Sequence, residues 1–397
     1  MVNLLSICHG SKLAGQWPAI KQSYRLFDAQ DKRGAWRARP LPKAPQRFIL
    51  PAMIARPKPS ISTHAALPSA AAVAMPVPVP NWLRRAVADT QSLAGKEIED
   101  VAAVTGAAIG ALDAAVRRQE RCAGAWRQRL ALSAAAVTAK QAGRVEDEAA
   151  LRDMVVLTRP ADSLSGSATP GPAGLLLLAW RRLAGRPAQD LLTAKSLAAV
   201  LEEFGYAPDA AMAGDLVDEL RPLGADVGMV AMLAGAFVAA QRHGFGRAVG
   251  AWLADALLAR RLGWAHAVPL LGTEVAAGLV TRRLRRSATV SPAATVEIES
   301  GGAKNLLAAQ ARAALRAIDL SAELARRADR LLAAAPKLRA KASDLVIERL
   351  LSDDAVVASE KIAGMSDRGL RRLFDRLVSL STVRELSGRP TFRIYGL

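Results

Sequence analysis

RAVGAWLADALLARRL, residues Arg247–Leu262, sets Val249, Trp252, Leu253, Ala256 and Leu257 at steps of three and four, with arginines on the other side. That recurrence is an apolar stripe on one face of a 3.6-residue helix. Similar stripes follow one another in both directions. Upstream, residues 95–120 carry Ile98, Val101, Ile109, Leu112 and Val116 at helical spacing, with Gly106 and Gly110 four apart, where a second helix is able to lie close. A helix over residues 126–142 ends at Gly143, a natural C-cap. The next starts at the acidic run Glu146-Asp147-Glu148, suited to a helix N-terminus, and stops before Pro160. A Ser/Gly/Pro loop over residues 163–172 separates it from helices expected at 173–184, 193–204, 209–220 and 227–241. Gly185, Gly205 and Pro222 punctuate them. Downstream of the opening stretch a helix is expected over 268–285. A linker over 286–302 then carries a Gly301-Gly302 hinge, and a long connecting helix over 303–341 ends or kinks at Pro336.

Composition agrees. Hydrophobic types make up 51% and charged types 23%, so most of the 397 residues can bury a core. Alanine accounts for about a fifth of the chain while Phe, Trp and Tyr reach only 4%. That balance favours closely packed helices over a β-sandwich or barrel. The two cysteines, Cys8 and Cys122, exclude a disulfide framework and point to a reducing compartment. The longest clean apolar run, Gly228–Ala240, falls short of the roughly 18 residues a membrane span needs, and reads as a core helix. No membrane partner is expected, and a cytoplasmic location follows.

The charge is uneven. Of the net +18, residues 1–80 hold 11 Lys or Arg against 2 acids, residues 81–302 hold 25 against 23, and residues 303–397 hold 18 against 11. Basic ends flanking a near-neutral middle point to an anionic partner such as nucleic acid. The first 80 residues also hold 11 of the 21 prolines and no periodic pattern. They read as a disordered, basic, Pro-rich segment, either a solvated tail or an extension upstream of a misassigned start codon.

The last hundred residues are the most informative about function. Leu345, Val346, Leu350 and Leu351 give a short amphipathic helix, and a brief second helix is expected over 357–363. Ser366 and Asp367 then cap a third, whose buried stripe is Leu370, Leu373, Phe374, Leu377 and Val378. Its other side shows Arg368, Arg371, Arg372 and Arg376. Two short strands, 383–386 and 391–395, flank a turn at Ser387-Gly388-Arg389-Pro390. Three helices and a hairpin are the layout of a winged helix-turn-helix over residues 342–397. Its third helix would enter the major groove of double-stranded DNA, with Arg389 at the hairpin tip on a phosphate or in the minor groove and Arg393 adding a backbone contact.

Three runs look familiar: AWRQRLAL from Ala125, GRVEDEAALRD from Gly143, and GPAG from Gly171 with AWRRL from Ala179. They resemble an uncharacterised α-proteobacterial domain-of-unknown-function family found mainly in rhizobia and relatives, over roughly residues 80–397. The resemblance implies bacterial origin and brings no activity with it. Members of that family lack most of residues 1–80, which favours the start-codon reading. The tail, LFDRLV from Leu373 through RELSGRPTFRIY from Arg384, is similar to the winged helix that closes many bacterial Fic-type proteins.

That second resemblance implies a check. Fic-type enzymes transfer AMP with a His-Pro-Phe-x-Asp/Glu-Gly-Asn-Gly-Arg loop. Here His243-Gly244-Phe245-Gly246-Arg247 precedes a helix without the proline, the acidic metal ligand or the Asn, and the loop is too short for a phosphate cradle. His243 therefore reads as a packed or helix-start histidine. His266, the other histidine in the helical region, is too isolated for a zinc site. Glu146, Asp147, Glu148 and Asp153 read as an acidic helix start salt-bridged to Arg144 and Arg152. Walker, dinucleotide and nucleophile-elbow motifs do not occur.

The expectation is a non-enzymatic, all-α protein with no catalytic residues, cofactor or metal. A helical domain over 81–285 senses a ligand or mediates homodimerisation, and the terminal winged helix binds DNA. The alternative is a degenerate Fic-like scaffold that uses the same module for protein contacts.

Overall fold

A computed structural model describes residues 79–88, 93, 96–157, 170–225, 227–274, 292–338, 340, 342–389 and 391–397, with the backbone alone over 292–301. Residues 1–78, residues 158–169, which include most of the Ser/Gly/Pro loop, and residues 275–291, which were expected to end one helix and open the linker, lie outside the described residues.

Among the described residues the chain is predominantly helical, with 71% of them in helices and one small three-stranded sheet. In chain order the helices are α1 (Asn81–Ala88), α2 (Ile98–Arg117), α3 (Ala123–Gln141), α4 (Glu148–Val156), α5 (Pro172–Gly185), α6 (Ala188–Leu191) and α7 (Ala194–Glu203). They continue as α8 (Ala210–Ala225), α9 (Met229–Arg242), α10 (Arg247–Arg261), α11 (Pro292–Ala334), α12 (Ser343–Ser352) and α13 (Asp367–Ser379). Strands β1 (Val356–Val357), β2 (Arg384–Glu385) and β3 (Ile394–Gly396) form an antiparallel sheet in the order β1-β3-β2. The described residues all fall in one compact unit.

The opening stretch is the centre of the core. In α10 every residue from Val249 to Ala259 is buried. Helix α9 supplies the neighbouring face, and Gly250 lets it approach: a Cβ there would lie 2.7 Å from the Phe237 ring. Trp252 is buried against α5 and donates its indole N–H to the Ala179 carbonyl at 3.0 Å. Trp180 likewise donates to Thr138 Oγ1 on α3 at 3.0 Å. Buried indoles need such partners, because an unsatisfied donor forfeits its hydration.

Several expectations are corrected. Gly301 and Gly302 do not make a hinge: α11 begins at Pro292 and runs through both. Downstream of them α11 packs along α2 and α3, with Thr105 Oγ1 donating to the Leu307 carbonyl at 3.0 Å and Trp126 Nε1 to the Ala317 carbonyl at 2.9 Å. Tertiary packing of this kind overrides the weak helix propensity of two glycines. The helix stops at Ala334 in a 3₁₀ turn, Ala335–Lys337, around Pro336. It is a packed element of the unit rather than a connector.

The start of the helix expected over 268–285 is also different. Val268, Pro269 and Leu270 are irregular and Leu271–Thr273 is a 3₁₀ turn. The fully buried carboxylate of Asp255 accepts the Leu270 and Leu271 amides at 2.8 and 3.1 Å, holding the turn in place. Pro222 does not end α8, which continues to Ala225; Pro222 is exposed, so water can serve the carbonyl its ring leaves unpaired. Gly106 and Gly110 face open space, with nothing within 4 Å of where a Cβ would be, so the close-approach reading fails. The buried side of α2 is instead Val101, Val104, Thr105, Ala108, Ile109 and Leu112.

Residues 357–363 are not a helix. Val356 and Val357 form β1, paired with Tyr395 and Ile394, because β-branched neighbours opposite a third strand gain more from pairing than from one uncapped turn. The expected hairpin is present in shorter form, with Arg384 opposite Gly396 and Glu385 opposite Tyr395.

Candidate functional site

Helix α13 is built for a two-sided environment. Ser366 caps it, its Oγ accepting the Gly369 amide at 3.1 Å, and Asp367 in the first turn complements the helix dipole. Leu370, Leu373, Phe374 and Leu377 are buried, and Phe374 stacks parallel to Tyr395 of β3 with ring centroids 4.2 Å apart. That contact fixes the rotation of the helix. Arg368, Arg371, Arg372 and Arg376 consequently face solvent. Among the described residues no carboxylate pairs with any of the four. Arg371 borders a shallow hollow of about 380 Å³ with Asp375, Phe392 and Arg393.

The other two arginines singled out in the sequence are engaged. Arg389 lies 2.6 Å from Asp153 on α4, so it turns toward the helical body rather than away from it. Arg393 sits 3.9 Å from Glu385 and 4.0 Å from Asp375, a loose pairing at an exposed position.

What holds this region against the helices is a group the sequence reading missed. Asp354, between α12 and β1, is fully buried and accepts from Arg129 Nε of α3 and from Arg152 Nε of α4, the latter at 2.7 Å. Its backbone carbonyl also accepts from Arg129 Nη2 at 3.3 Å. Burial pushes its carboxyl upward, but the two guanidiniums outweigh this and hold it below the usual carboxylate range. Arg152, expected to pair within its own helix start, is thus diverted to Asp354, whereas Arg144 does reach Glu146, at 3.4 Å. Asp147 caps α4 through the Ala150 amide at 2.8 Å. The available signal was an acidic pair, Asp353-Asp354, set between Leu350-Leu351 and Val356-Val357.

His243 is a packed histidine. It caps the C-terminus of α9, its Nε2 lies 3.1 Å from Glu219 Oε2, and its ring is parallel to that of Phe245. Among the described residues no group of three or more His, Cys, Asp or Glu side chains is placed to hold a metal ion. No described helix is long and apolar enough to cross a membrane.

A second concavity, of about 290 Å³, lies away from this module, where α2 ends, α3 begins and the loop after α10 passes. Glu120, Arg127 and His266 line it, beside Trp126 and Trp264.

No curated protein matches the chain. A family model does, over residues 69–397, which is all of the chain beyond the Pro-rich segment together with the end of that segment, and this agrees with the resemblance carried by the runs from Ala125, Gly143 and Gly171. The chain therefore belongs to DUF1403, a family of proteins of unknown function.

Proposed function

We propose that residues 342–397 are a winged helix that binds double-stranded DNA through α13, making the protein a cytoplasmic DNA-binding regulator. The observation that carries this is the set of four arginines on the exposed side of α13, none with a carboxylate partner among the described residues. An arginine face left without counter-charge is an electrostatic footprint for phosphates. The connectivity supports it too: helix, strand, capped helix and hairpin, with the strands in the order β1-β3-β2, is that of a winged helix whose second helix is reduced to a turn. The wing contributes less. Arg389 must leave Asp153 before it can reach a phosphate, so the helix face dominates.

The test is fluorescence anisotropy of the full chain with 30-base-pair duplexes of random sequence across a salt series. Replacing Arg368, Arg372 and Arg376 together by Ala should lower the slope of log affinity against log salt by about 0.9 for each phosphate that α13 no longer neutralises. Arg389→Ala should leave the slope unchanged. Absence of binding at low salt, or a triple variant with the wild-type slope, would sink the DNA reading and favour a module for protein contacts.

A further inference from the structure

The concavity at the α2–α3 corner is walled by indole rings whose donors are already engaged and by polar groups that are poorly satisfied. Trp126 and Trp264 direct their indole N–H groups to the Ala317 carbonyl at 2.9 Å and to Asp113 Oδ1 at 2.8 Å, so their rings offer only apolar surface. Arg127 uses its Nε on the Ala184 carbonyl at 3.0 Å, and no carboxylate pairs with it among the described residues. Its guanidinium is desolvated without a counter-charge, and burial pushes its pKa down. Glu120 has a buried carboxylate oxygen, Oε2, with no hydrogen-bond partner, and burial pushes its pKa up. His266 has no side-chain hydrogen bond among the described residues; burial first, and then the Arg127 charge, lowers its pKa, so it is neutral at pH 7 and able to donate one hydrogen bond.

The arrangement is bipolar. Arg127 and Glu120 both line the hollow, from α3 and from the turn before it, and do not form an ion pair with each other among the described residues. The cationic and acidic groups are thus two poles of one hollow. Gln119, which lines the hollow next to Glu120, has φ +46°, a left-handed conformation unusual for a side-chain-bearing residue, of the kind that collects at ligand sites. A part-buried guanidinium without a counter-charge and a buried carboxylate oxygen without a hydrogen bond are costly, and a ligand that brings the opposite charge to each pole recovers part of that cost.

We infer that this cavity binds a small free amino acid, its carboxylate on Arg127 and His266, its ammonium on Glu120, and its side chain against the two tryptophans. A volume of 290 Å³ lies at the lower edge of small-molecule sites, which suits a ligand of that size. The inference is independent of the DNA reading and is tested without DNA.

The experiment is titration of the full chain with each of the twenty free L-amino acids, read by calorimetry and by tryptophan fluorescence. At least one should bind saturably. Its carboxamide and its N-acetyl form should each bind about tenfold or more weakly, because each removes one pole. Arg127→Gln should abolish the penalty for the carboxamide, and Glu120→Gln that for the N-acetyl form. Should Arg127→Gln not fold, the blocked ligands on the wild-type chain and Glu120→Gln still decide. No binding by any amino acid at about 10 mM, or binding indifferent to both blocked forms, would overturn the inference.

Discussion

Arginines serve opposite ends at two places that border the small C-terminal sheet. At the junction between α12 and β1, Arg129 and Arg152 are largely buried and converge on the buried Asp354. On α13, Arg368, Arg371, Arg372 and Arg376 stand in solvent without partners among the described residues. Their residue type is the same, and the balance of desolvation against pairing is not. A buried guanidinium loses its hydration and is costly unless a partner in contact replaces it, so with Asp354 between them these two become part of the frame. An exposed one keeps its hydration and its field, and is free to meet an anion from outside. The lesson is that arginine content alone, high throughout this chain, says little until burial sorts it.

The comparison can be broken most directly at Asp354. Asp354→Ala leaves two guanidiniums without their counter-charge and should cost about 3–5 kcal/mol in urea unfolding. A loss below about 1 kcal/mol would mean that the junction does not depend on the pair. The difference from wild type should also shrink as pH falls. The Asp354 carboxyl is held below its unfolded value, so its contribution is present above the ordinary carboxylate range and is lost as pH drops through the lowered folded value.

A middle case is Ser366, which orients the arginine face without carrying charge. Ser366→Ala removes the acceptor for the Gly369 amide and should cost about 1 kcal/mol, while leaving the salt slope of any DNA binding unchanged. The smallest effect is expected on the exposed face. Arg372→Ala should alter unfolding free energy by less than about 0.5 kcal/mol, since nothing in the fold depends on it. A loss comparable to that of Asp354→Ala would erase the distinction between the two regions.

The local elements were largely legible in the sequence. Stripes such as that of residues 247–262, the cap at Ser366 and the turn at Gly143 (φ +73°) depend on side chains within a few positions of one another. Errors arose where a distant group intervened. Residues 268–274 looked helical until the Asp255 carboxylate, on a neighbouring helix, took their amides. Val357 looked like the start of a helix, but β3, almost forty residues on, pairs with it and with Val356. The Gly106/Gly110 spacing suggested a contact face, yet the adjacent Thr105 and Ile109 are the buried positions.

The candidate sites divide the same way. The arginine stripe of α13 could be placed from the 3.6-residue period and the apolar positions beside it, because a helix exposes whatever its buried face excludes. The engagement of Arg389 by Asp153, and the gathering of Glu120, Arg127 and His266 around one cavity, could not, because these residues are separated by up to 236 positions and no local pattern links them. Sequence by itself determined an all-helical body with a short, mixed, basic C-terminal region, since propensity, period and capping are short-range. Only the tertiary structure decided which charges are buried and paired, which are exposed, and which line a hollow unserved, since burial is a property of the whole packed chain.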